Sequence, residues 1–293
     1  MRCKLALFLL LLFSNTINCV AELLPLEMPS QIRREIGLRY DSFIDAGESV
    51  IIIGRISPET AKAFLKLASK NTLRSVIVDS GGGDLASALL IANKMRELQL
   101  DIYVNGRCFS ACVNFLLSAG KKKYVLSNSL IGIHEKTVFL PDNNHTRRLS
   151  EVSFNGKYSK NSPYWTDISE LLELESAYYK EVQLDTRLLS EYRNFAQSRE
   201  LSKWGFKETV CKNTLLWILN KNQLNALGIY ELEQFWYPQN DIQKAALAKE
   251  FGMDTTQLFY GDITQLQRQC ETAFTNMPLV NRLFALPSFK FKQ

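Results

Sequence analysis

The sequence has few residues that bind metals and no motif that binds a nucleotide cofactor. Among its 293 residues the only histidines are His134 and His145, and no Cys-x-x-Cys pair is present, which argues against a zinc site. The glycine-rich segments lack both the lysine and hydroxyl residue of a Walker loop and the spacing of a dinucleotide fingerprint. We therefore expect neither a metal ion nor another cofactor.

Charge and hydropathy argue against two further classes of partner. The formal net charge is +5, and it falls to +3 if residues 1–21 are removed, because Arg2 and Lys4 leave with them. The longest basic run is Lys121 to Lys123, so nucleic acid binding is not expected. The longest apolar run, Leu5 to Phe13, is too short to span a bilayer.

The first 21 residues have the pattern of a secretory signal peptide. A basic start at Arg2 and Lys4 precedes the apolar run, and Cys19-Val20-Ala21 places small residues at −3 and −1 of a cut before Glu22. A lipid anchor on Cys19 is the alternative, but Asn18 is a poor residue to precede it. We expect cleavage after Ala21 and a periplasmic or secreted protein without a membrane span.

Export changes the expected state of the cysteines. Four remain after cleavage, which is an even number in an oxidising compartment: Cys108, Cys112, Cys211 and Cys270. Three pairings are possible. We favour Cys108 with Cys112 and Cys211 with Cys270, because one helical turn puts the first two backbones near the usual disulfide separation. Zinc is the weaker alternative.

Ser110 and His134 are the candidate nucleophile and base. Ser110 stands before an apolar helix predicted over Ala111 to Ala119, and His134 ends a strand predicted over Ser129 to Ile133. A serine hydroxyl needs an imidazole within hydrogen-bond reach to accept its proton. Serine is also a favoured helix N-cap, and from this stretch alone the two interpretations have about equal weight.

A glycine run supplies the second part of a candidate site. Gly81, Gly82 and Gly83 follow a predicted strand, Ser75 to Asp79, and precede a helix predicted from Leu85 to about Leu98. Glycines between a strand and a helix let backbone N–H groups point at a ligand, so the loop can form an oxyanion hole. An ordinary strand-to-helix turn is the alternative.

In their order, these segments resemble the Clp serine protease and crotonase superfamily from Val50 to Glu135. The family's Asn-Ser-Pro-Gly-Gly matches Asp79–Gly83, its Gly-Gln-Ala-Ala-Ser matches Gly106–Ser110, and its Met-Ile-His matches Gly132–His134. The resemblance implies an α/β fold, a Clp/crotonase-like spiral of ββα units. By the same resemblance Ser110 is the nucleophile, His134 is the base, and the oxyanion hole is formed by Gly82, Gly83 and Ala111.

The resemblance resumes at Leu216 to Ile229, a short helix that closes the domain, and there it departs from the family pattern. The position of the family's catalytic aspartate is Lys212. Asn213 is our candidate for the third catalytic residue, because an asparagine can orient an imidazole. Glu208 is the alternative, and a Ser-His dyad without a third member is another.

The domain organisation follows from the same reasoning. A Clp/crotonase-like domain is expected over residues 22–231, with a polar loop at 136–163 and a long helix at 167–204 inserted. In the family a helix in this region projects and packs against neighbouring subunits, so a homo-oligomer is compatible with the pattern; a helix folded back on its own domain is equally so. Residues 232–293 are expected to form a helical C-terminal region, with helices at 241–251, 255–258 and 263–274.

These expectations favour an exported serine hydrolase, a peptidase acting on a peptide or protein substrate. Two alternatives belong to other classes. The first is a catalytically degenerate Clp-like module that binds peptide or protein partners in the same groove. The second is a crotonase-type acyl-CoA enzyme, which needs no serine at position 110 and would be unusual outside the cytoplasm.

Overall fold

A computed structural model of the chain describes residues 42–70, 72–134, 137–142, 145–150, 165–192, 195 and 213–275. The protein is a mixed α/β protein with an open, mostly parallel central sheet. The strands are β1 (Ser42–Ala46), β2 (Ser49–Ile56), β3 (Ser75–Gly83), β4 (Asp101–Phe109), β5 (Lys123–Val125), β6 (Leu130–Ile133), β7 (Thr137–Asp142), β8 (His145–Ser150), β9 (Leu216–Ile218), β10 (Leu232–Phe235) and β11 (Leu258–Tyr260). The helices are α1 (Pro58–Ala68), α2 (Leu85–Glu97), a π-helix (Cys112–Leu117), α3 (Trp165–Glu181), α4 (Lys221–Ala226), α5 (Asp241–Glu250) and α6 (Ile263–Thr275).

The described strands form one nine-stranded sheet and one separate hairpin. The main path of the sheet runs β1-β2-β3-β4-β6-β9-β11, while β5 pairs with β4 and β10 pairs with β5. Strands β2, β3, β4 and β6 are parallel to one another, whereas β1 pairs antiparallel with β2 and β9 pairs antiparallel with β6. The parallel centre follows from the alternation of strands and helices along the chain, since a parallel neighbour needs a crossover connection.

One face of the sheet carries the larger apolar core. Side chains two residues apart share a face, so Val50 and Ile52 of β2 and Val76 and Val78 of β3 point the same way. The helices α1, α2, α3 and the π-helix cover this face. Their fully buried members include Phe64, Ile91, Met95 and Phe115.

The other face of the sheet is covered in part by the C-terminal region. Phe109 at the end of β4 and Leu216 of β9 pack with Leu247 of α5 and with Phe251, which follows α5. The strand β11 pairs with β9 in parallel, Leu258 opposite Leu216. The helix expected over 255–258 is therefore a short 3-10 turn, Thr255–Gln257, followed by a strand. The C-terminal region, expected to be helical, thus contributes two strands to the nine-stranded sheet, β11 and β10.

Two inserted segments also differ from expectation. The loop predicted at 136–163 contains the antiparallel hairpin of β7 and β8, in which Thr137 lies opposite Ser150. The long helix predicted at 167–204 ends at Glu181. Gln183 has a left-handed φ of 56°, as residues after a helix end often do, and Leu184 then enters the core. A second helical segment covers residues 187–192.

The remaining expectations for helices and strands in the described parts are confirmed to within a few residues. The helix α3 folds back on its own domain, because Tyr178 and Tyr179 are buried against Phe115. The short helix α4 begins with a capping box between Asn220 and Gln223. Within the described ranges, no helix is both long and apolar enough to cross a membrane.

Candidate active site

Ser110, His134 and the glycine run with Gly82 and Gly83 lie at one edge of the sheet. Phe109 of β4 lies opposite Gly132 of β6, and the N–H of Ser110 donates to the carbonyl of Gly132 at 3.0 Å. His134 follows β6 directly, and β3, on the other side of β4, ends at Gly83. Ligands of open α/β sheets bind at the carboxyl ends of parallel strands. Ser110, His134 and the glycine run are therefore neighbours at this edge.

The backbone of Ser110 has a strained conformation. Its φ is 56°, in the left-handed region, which costs an L-residue roughly 1–2 kcal/mol. The Ser110 carbonyl accepts the N–H groups of Val113 at 3.0 Å and Asn114 at 3.1 Å, which start the helix. The carbonyl of Ser110 thus has the place of an N-cap carbonyl, since Ala111 already has a helical backbone, but the left-handed φ of Ser110 differs from the extended backbone usual at an N-cap. The role of Ser110 as a helix cap stays an alternative.

The hydroxyl of Ser110 has no hydrogen-bond partner within the described parts of the chain. Ser110 is half-buried at a sharp turn from a strand to a helix, the arrangement that presents the nucleophile in hydrolases with a nucleophile elbow. His134 is also half-buried and makes an interaction of its own. In enzymes without substrate, the bond between nucleophile and base is often long and shortens only when substrate binds.

The predicted bridge between Cys108 and Cys112 is present and spans Ser110. The two Cα atoms are 5.2 Å apart, and both residues are completely buried. Each sulfur is thus unavailable as a zinc ligand. The bridge links Cys108, the second-last residue of β4, to Cys112, the first residue of the π-helix, so it restrains the chain on both sides of Ser110.

A second bridge involves Cys270. Cys270 on α6 is fully buried and disulfide-bonded. Since Cys108 and Cys112 are bonded to each other, its partner lies outside the described residues. Cys211 also lies outside them, so the pairing of Cys211 with Cys270 stays a prediction.

Gly82 packs directly against the Ser110 turn. Its φ is 89°, and a Cβ at this position would lie 2.7 Å from the Phe109 carbonyl, 2.8 Å from the Ser110 Cβ and 3.0 Å from the Ala111 nitrogen. Gly81 differs, because a Cβ there would meet nothing within 4 Å. Position 82 therefore requires glycine for close approach to the serine, whereas position 81 faces open space.

The amide groups of the glycine run are not equivalent. The N–H of Gly82 already donates to Ser80 Oγ at 3.1 Å, and that hydroxyl donates to the Gly54 carbonyl at 2.6 Å. The N–H of Asp84 donates to the Ile56 carbonyl of β2 at 2.8 Å. Gly82 and Gly83 have φ values of 89° and 153°, so the glycine run does not continue the regular alternation of strand amides.

Asn213, the candidate third residue, lies beyond the same edge but has another contact. The strand β9 runs antiparallel to β6 with Trp217 opposite Ile133, so the residues before β9 extend past His134. Asn213 is exposed, and its Nδ2 donates to Thr256 Oγ1 at 3.3 Å. The adjacent Thr214 is the buried polar residue of this segment, and sequence reasoning did not single it out. Lys212 and Glu208 lie outside the described residues.

A partly buried ion pair next to the serine turn was also not foreseen. Arg107 Nε donates to Asp79 Oδ1 at 2.8 Å, and the Arg107 backbone N–H donates to the same oxygen at 3.0 Å. The guanidinium lies 5.8 Å from the centre of the Phe251 ring, which also meets Phe109 edge to face. A Cβ on Gly106 would lie 2.6 Å from the Asp79 carboxyl carbon, so that glycine makes room for the pair.

No family model matches. No curated protein is similar to the chain either, so the assignment of a function depends on the site itself. Among the described residues, no group of three or more histidine, cysteine, aspartate or glutamate side chains is placed to hold a metal ion.

Proposed function

We propose that the protein is a serine hydrolase with a Clp/crotonase-like fold, and that it cleaves peptide bonds. The observation that carries the proposal is the left-handed Ser110 at the junction of β4 and the π-helix, between two bonded cysteines. Backbone strain of this kind persists only where the surrounding structure enforces it, and it is concentrated at functional sites. The spiral arrangement of ββα units is part of the proposal.

In the proposed reaction Ser110 Oγ attacks the substrate carbonyl while His134 accepts the hydroxyl proton. The imidazolium then gives this proton to the leaving amine, and an acyl-enzyme remains on Ser110. A water molecule, deprotonated by His134, attacks the ester in turn and releases the acid and the free serine. Both residues follow directly after parallel neighbouring strands, which supports their cooperation.

The oxyanion of each tetrahedral intermediate is assigned to the N–H groups of Gly83 and Ala111. Gly83 directly follows Gly82, which packs against the Ser110 turn, and this supports the first assignment. Ala111 starts the helix, where the first N–H groups have no acceptor within the helix, and this supports the second. Gly82 keeps the glycine run close to Ser110, but its own N–H is bonded to Ser80.

The group that orients His134 is left open among Asn213, Glu208 and none. A histidine N–H needs an acceptor, and the side-chain oxygen of Asn213 could serve as one. The bond from Asn213 to Thr256 uses the amide nitrogen and leaves that oxygen out. Where an orienting group sets the tautomer of the histidine, its loss lowers turnover by roughly four orders of magnitude. A dyad would therefore be a slow enzyme.

The test uses a fluorophosphonate probe on the full-length protein, with the modified residue located by peptide mass spectrometry. We expect the wild type to be labelled at Ser110, Ser110→Ala to be unlabelled, and His134→Gln to be labelled at least a hundredfold more slowly. His145→Gln is the matched control, since it removes the other histidine, and Ser69→Ala removes an exposed serine at the end of α1. Labelling of another serine, or equal rates for the two histidine variants, would refute the proposal.

A peptide-binding module is the second candidate, and Lys212 at the family's aspartate position favours it. Such a module keeps the groove but needs no reactive serine. Saturable binding of a peptide with equal affinity to the wild type and to Ser110→Ala, without labelling or turnover, would favour this candidate over the hydrolase.

We also propose export with cleavage after Ala21. The Cys108–Cys112 bridge supports it, since such bridges form and persist in oxidising compartments. N-terminal sequencing of the protein from a periplasmic or secreted fraction should begin at Glu22. A protein that retains Met1 in the cytoplasm would contradict this part of the proposal.

A further inference from the structure

The helix that follows Ser110 has an unusual width. Residues Cys112–Leu117 form a π-helix, in which one residue more is accommodated per turn than in an α-helix. Such segments are rare, and they occur frequently at functional sites. A wide turn also leaves backbone carbonyls without their usual α-helical donors, so other groups must satisfy them.

Tyr178 of α3 supplies a donor to this turn. Its hydroxyl donates to the Phe115 carbonyl at 2.9 Å and lies 2.9 Å from Ser118 Oγ. The ring of Tyr178 is 5.3 Å from that of Phe115, and the residue is 3% exposed. The hydroxyl is therefore enclosed at the helix, and burial raises the pKa of Tyr178 to about 12.

Short hydrogen-bonded steps connect Tyr178 to Ser110. Ser118 Oγ, beside the Tyr178 hydroxyl, is 2.7 Å from the Asn114 carbonyl. The Asn114 N–H donates to the Ser110 carbonyl at 3.1 Å. The Tyr178 hydroxyl thus donates to the Phe115 carbonyl and the Ser118 hydroxyl to the Asn114 carbonyl. Both carbonyls belong to the π-helix whose first amides, those of Val113 and Asn114, donate to the Ser110 carbonyl.

We propose that Tyr178 is a positioning residue for Ser110. By holding the Phe115 carbonyl, its hydroxyl keeps the segment in the π register. The Phe115 carbonyl also accepts from the N–H of Ser118 and from Ser118 Oγ at 3.0 Å, so loss of the Tyr178 hydroxyl removes the donor that comes from α3 and releases the π-helix from α3 at this point. The direction of the Ser110 hydroxyl then changes. The inference rests on the proposed function, since it gives Tyr178 a role in the same reaction.

The experiment compares Tyr178→Phe with Tyr179→Phe in the full-length protein. The first variant keeps the ring and removes the oxygen that holds Phe115. The second is a matched control for the bond to the Phe115 carbonyl: Tyr179 neighbours Tyr178 on α3 and its ring also stacks on Phe115, but its hydroxyl donates to Glu175 at 2.7 Å and meets the Asn114 side chain rather than the Phe115 carbonyl. We expect Tyr178→Phe to lower kcat and the rate of fluorophosphonate labelling about tenfold with KM within twofold, and Tyr179→Phe to leave kcat within twofold.

Hydrogen exchange provides a readout that is independent of catalysis. In Tyr178→Phe the amides of Val113 and Asn114 should exchange about tenfold faster than in Tyr179→Phe. If Tyr178→Phe does not fold, Ser118→Ala removes the next hydroxyl and should lower kcat about threefold. Unchanged kcat in the folded variant, or equal losses for the two tyrosines, would overturn the inference. If the wild type is not labelled by the fluorophosphonate and hydrolyses no substrate, the proposed function fails. Unchanged hydrogen exchange of Val113 and Asn114 in Tyr178→Phe would separately refute the positioning role.

Discussion

Gly82→Ala should disable the site, whereas Gly81→Ala should not. At position 82 the new methyl carbon would lie 2.7 Å from the Phe109 carbonyl oxygen and 2.8 Å from the Ser110 Cβ, where carbon atoms need roughly 3.4 Å or more. The glycine loop and the serine turn must therefore separate by about half an ångström or more. Overpacking costs about 1–3 kcal/mol, and the φ of 89° adds about 1–2 kcal/mol for an L-residue. We expect a loss of about 2–5 kcal/mol of unfolding free energy.

The same separation would move the N–H of Gly83 away from the position that we propose for the oxyanion. Loss of one oxyanion donor lowers kcat by about 10²–10³-fold, so labelling and turnover in Gly82→Ala should fall by at least a hundredfold. At position 81 a methyl group meets nothing, so stability should change by less than about 1 kcal/mol. Urea unfolding and labelling rates of both variants, measured side by side, test this. Wild-type stability and labelling in Gly82→Ala would refute the close approach of the loop to Ser110.

Three further predictions concern the bridge, the third residue and alkaline stability. Non-reducing peptide maps should return Cys108 and Cys112 in one linked fragment, and replacing both with serine should slow labelling of Ser110 at least tenfold; free thiols at both positions would contradict this. Asn213→Ala should lower turnover with little loss of stability if Asn213 orients His134, whereas Glu208→Gln should do so if Glu208 does; if neither matters while Ser110→Ala is inactive, the site is a dyad. The raised pKa of Tyr178 stabilises the fold below pH 10, and about 2–3 kcal/mol should be lost between pH 10 and 12. Tyr178→Phe should show a smaller decrease in unfolding free energy over that range, and identical pH curves would contradict the burial of this hydroxyl.

The core of the fold was predictable because its signals are local. The apolar run Val50–Ile53 and the run Val76–Val78 are strands in any context that buries both faces, and Ser57-Pro58 and Asp84 mark helix starts. The bridge was favoured by the expected export and by the four-residue spacing of Cys108 and Cys112, although Cys108 lies in a strand rather than on one helical turn with Cys112. The same local signals placed Ser110 and His134 after strands, and parallel pairing then brought them to one edge.

Other features depend on contacts that sequence does not reveal. The left-handed φ of Ser110 and the contact of Gly82 with it arise from how β3 and β4 end beside each other. The helix α3 ends at Glu181, and the chain then turns at the left-handed Gln183 so that Leu184 is buried in the core. Glycine is the usual residue in that conformation after a helix, so a glutamine gave no signal of the end. The strand β11 has three residues, too few for any periodic pattern, and it exists because β9 offers it an edge.

The choice between a hydrolase and a binding module can be argued from the strain at Ser110. The serine is held from three directions: by the bridge across it, by Gly82 from β3, and by the Phe251 ring against the preceding Phe109. A groove that only binds peptide gains nothing from a left-handed serine, because any residue with a relaxed backbone would serve there and glycine would remove the cost. A nucleophile does gain, since the turn lifts its hydroxyl out of the sheet toward the substrate and brings the first helical amides to the oxyanion. Four other non-glycine residues also have φ values of 55° to 59°, so the left-handed φ of Ser110 favours a hydrolase over a binding module only in combination with the bridge and the packing of Gly82.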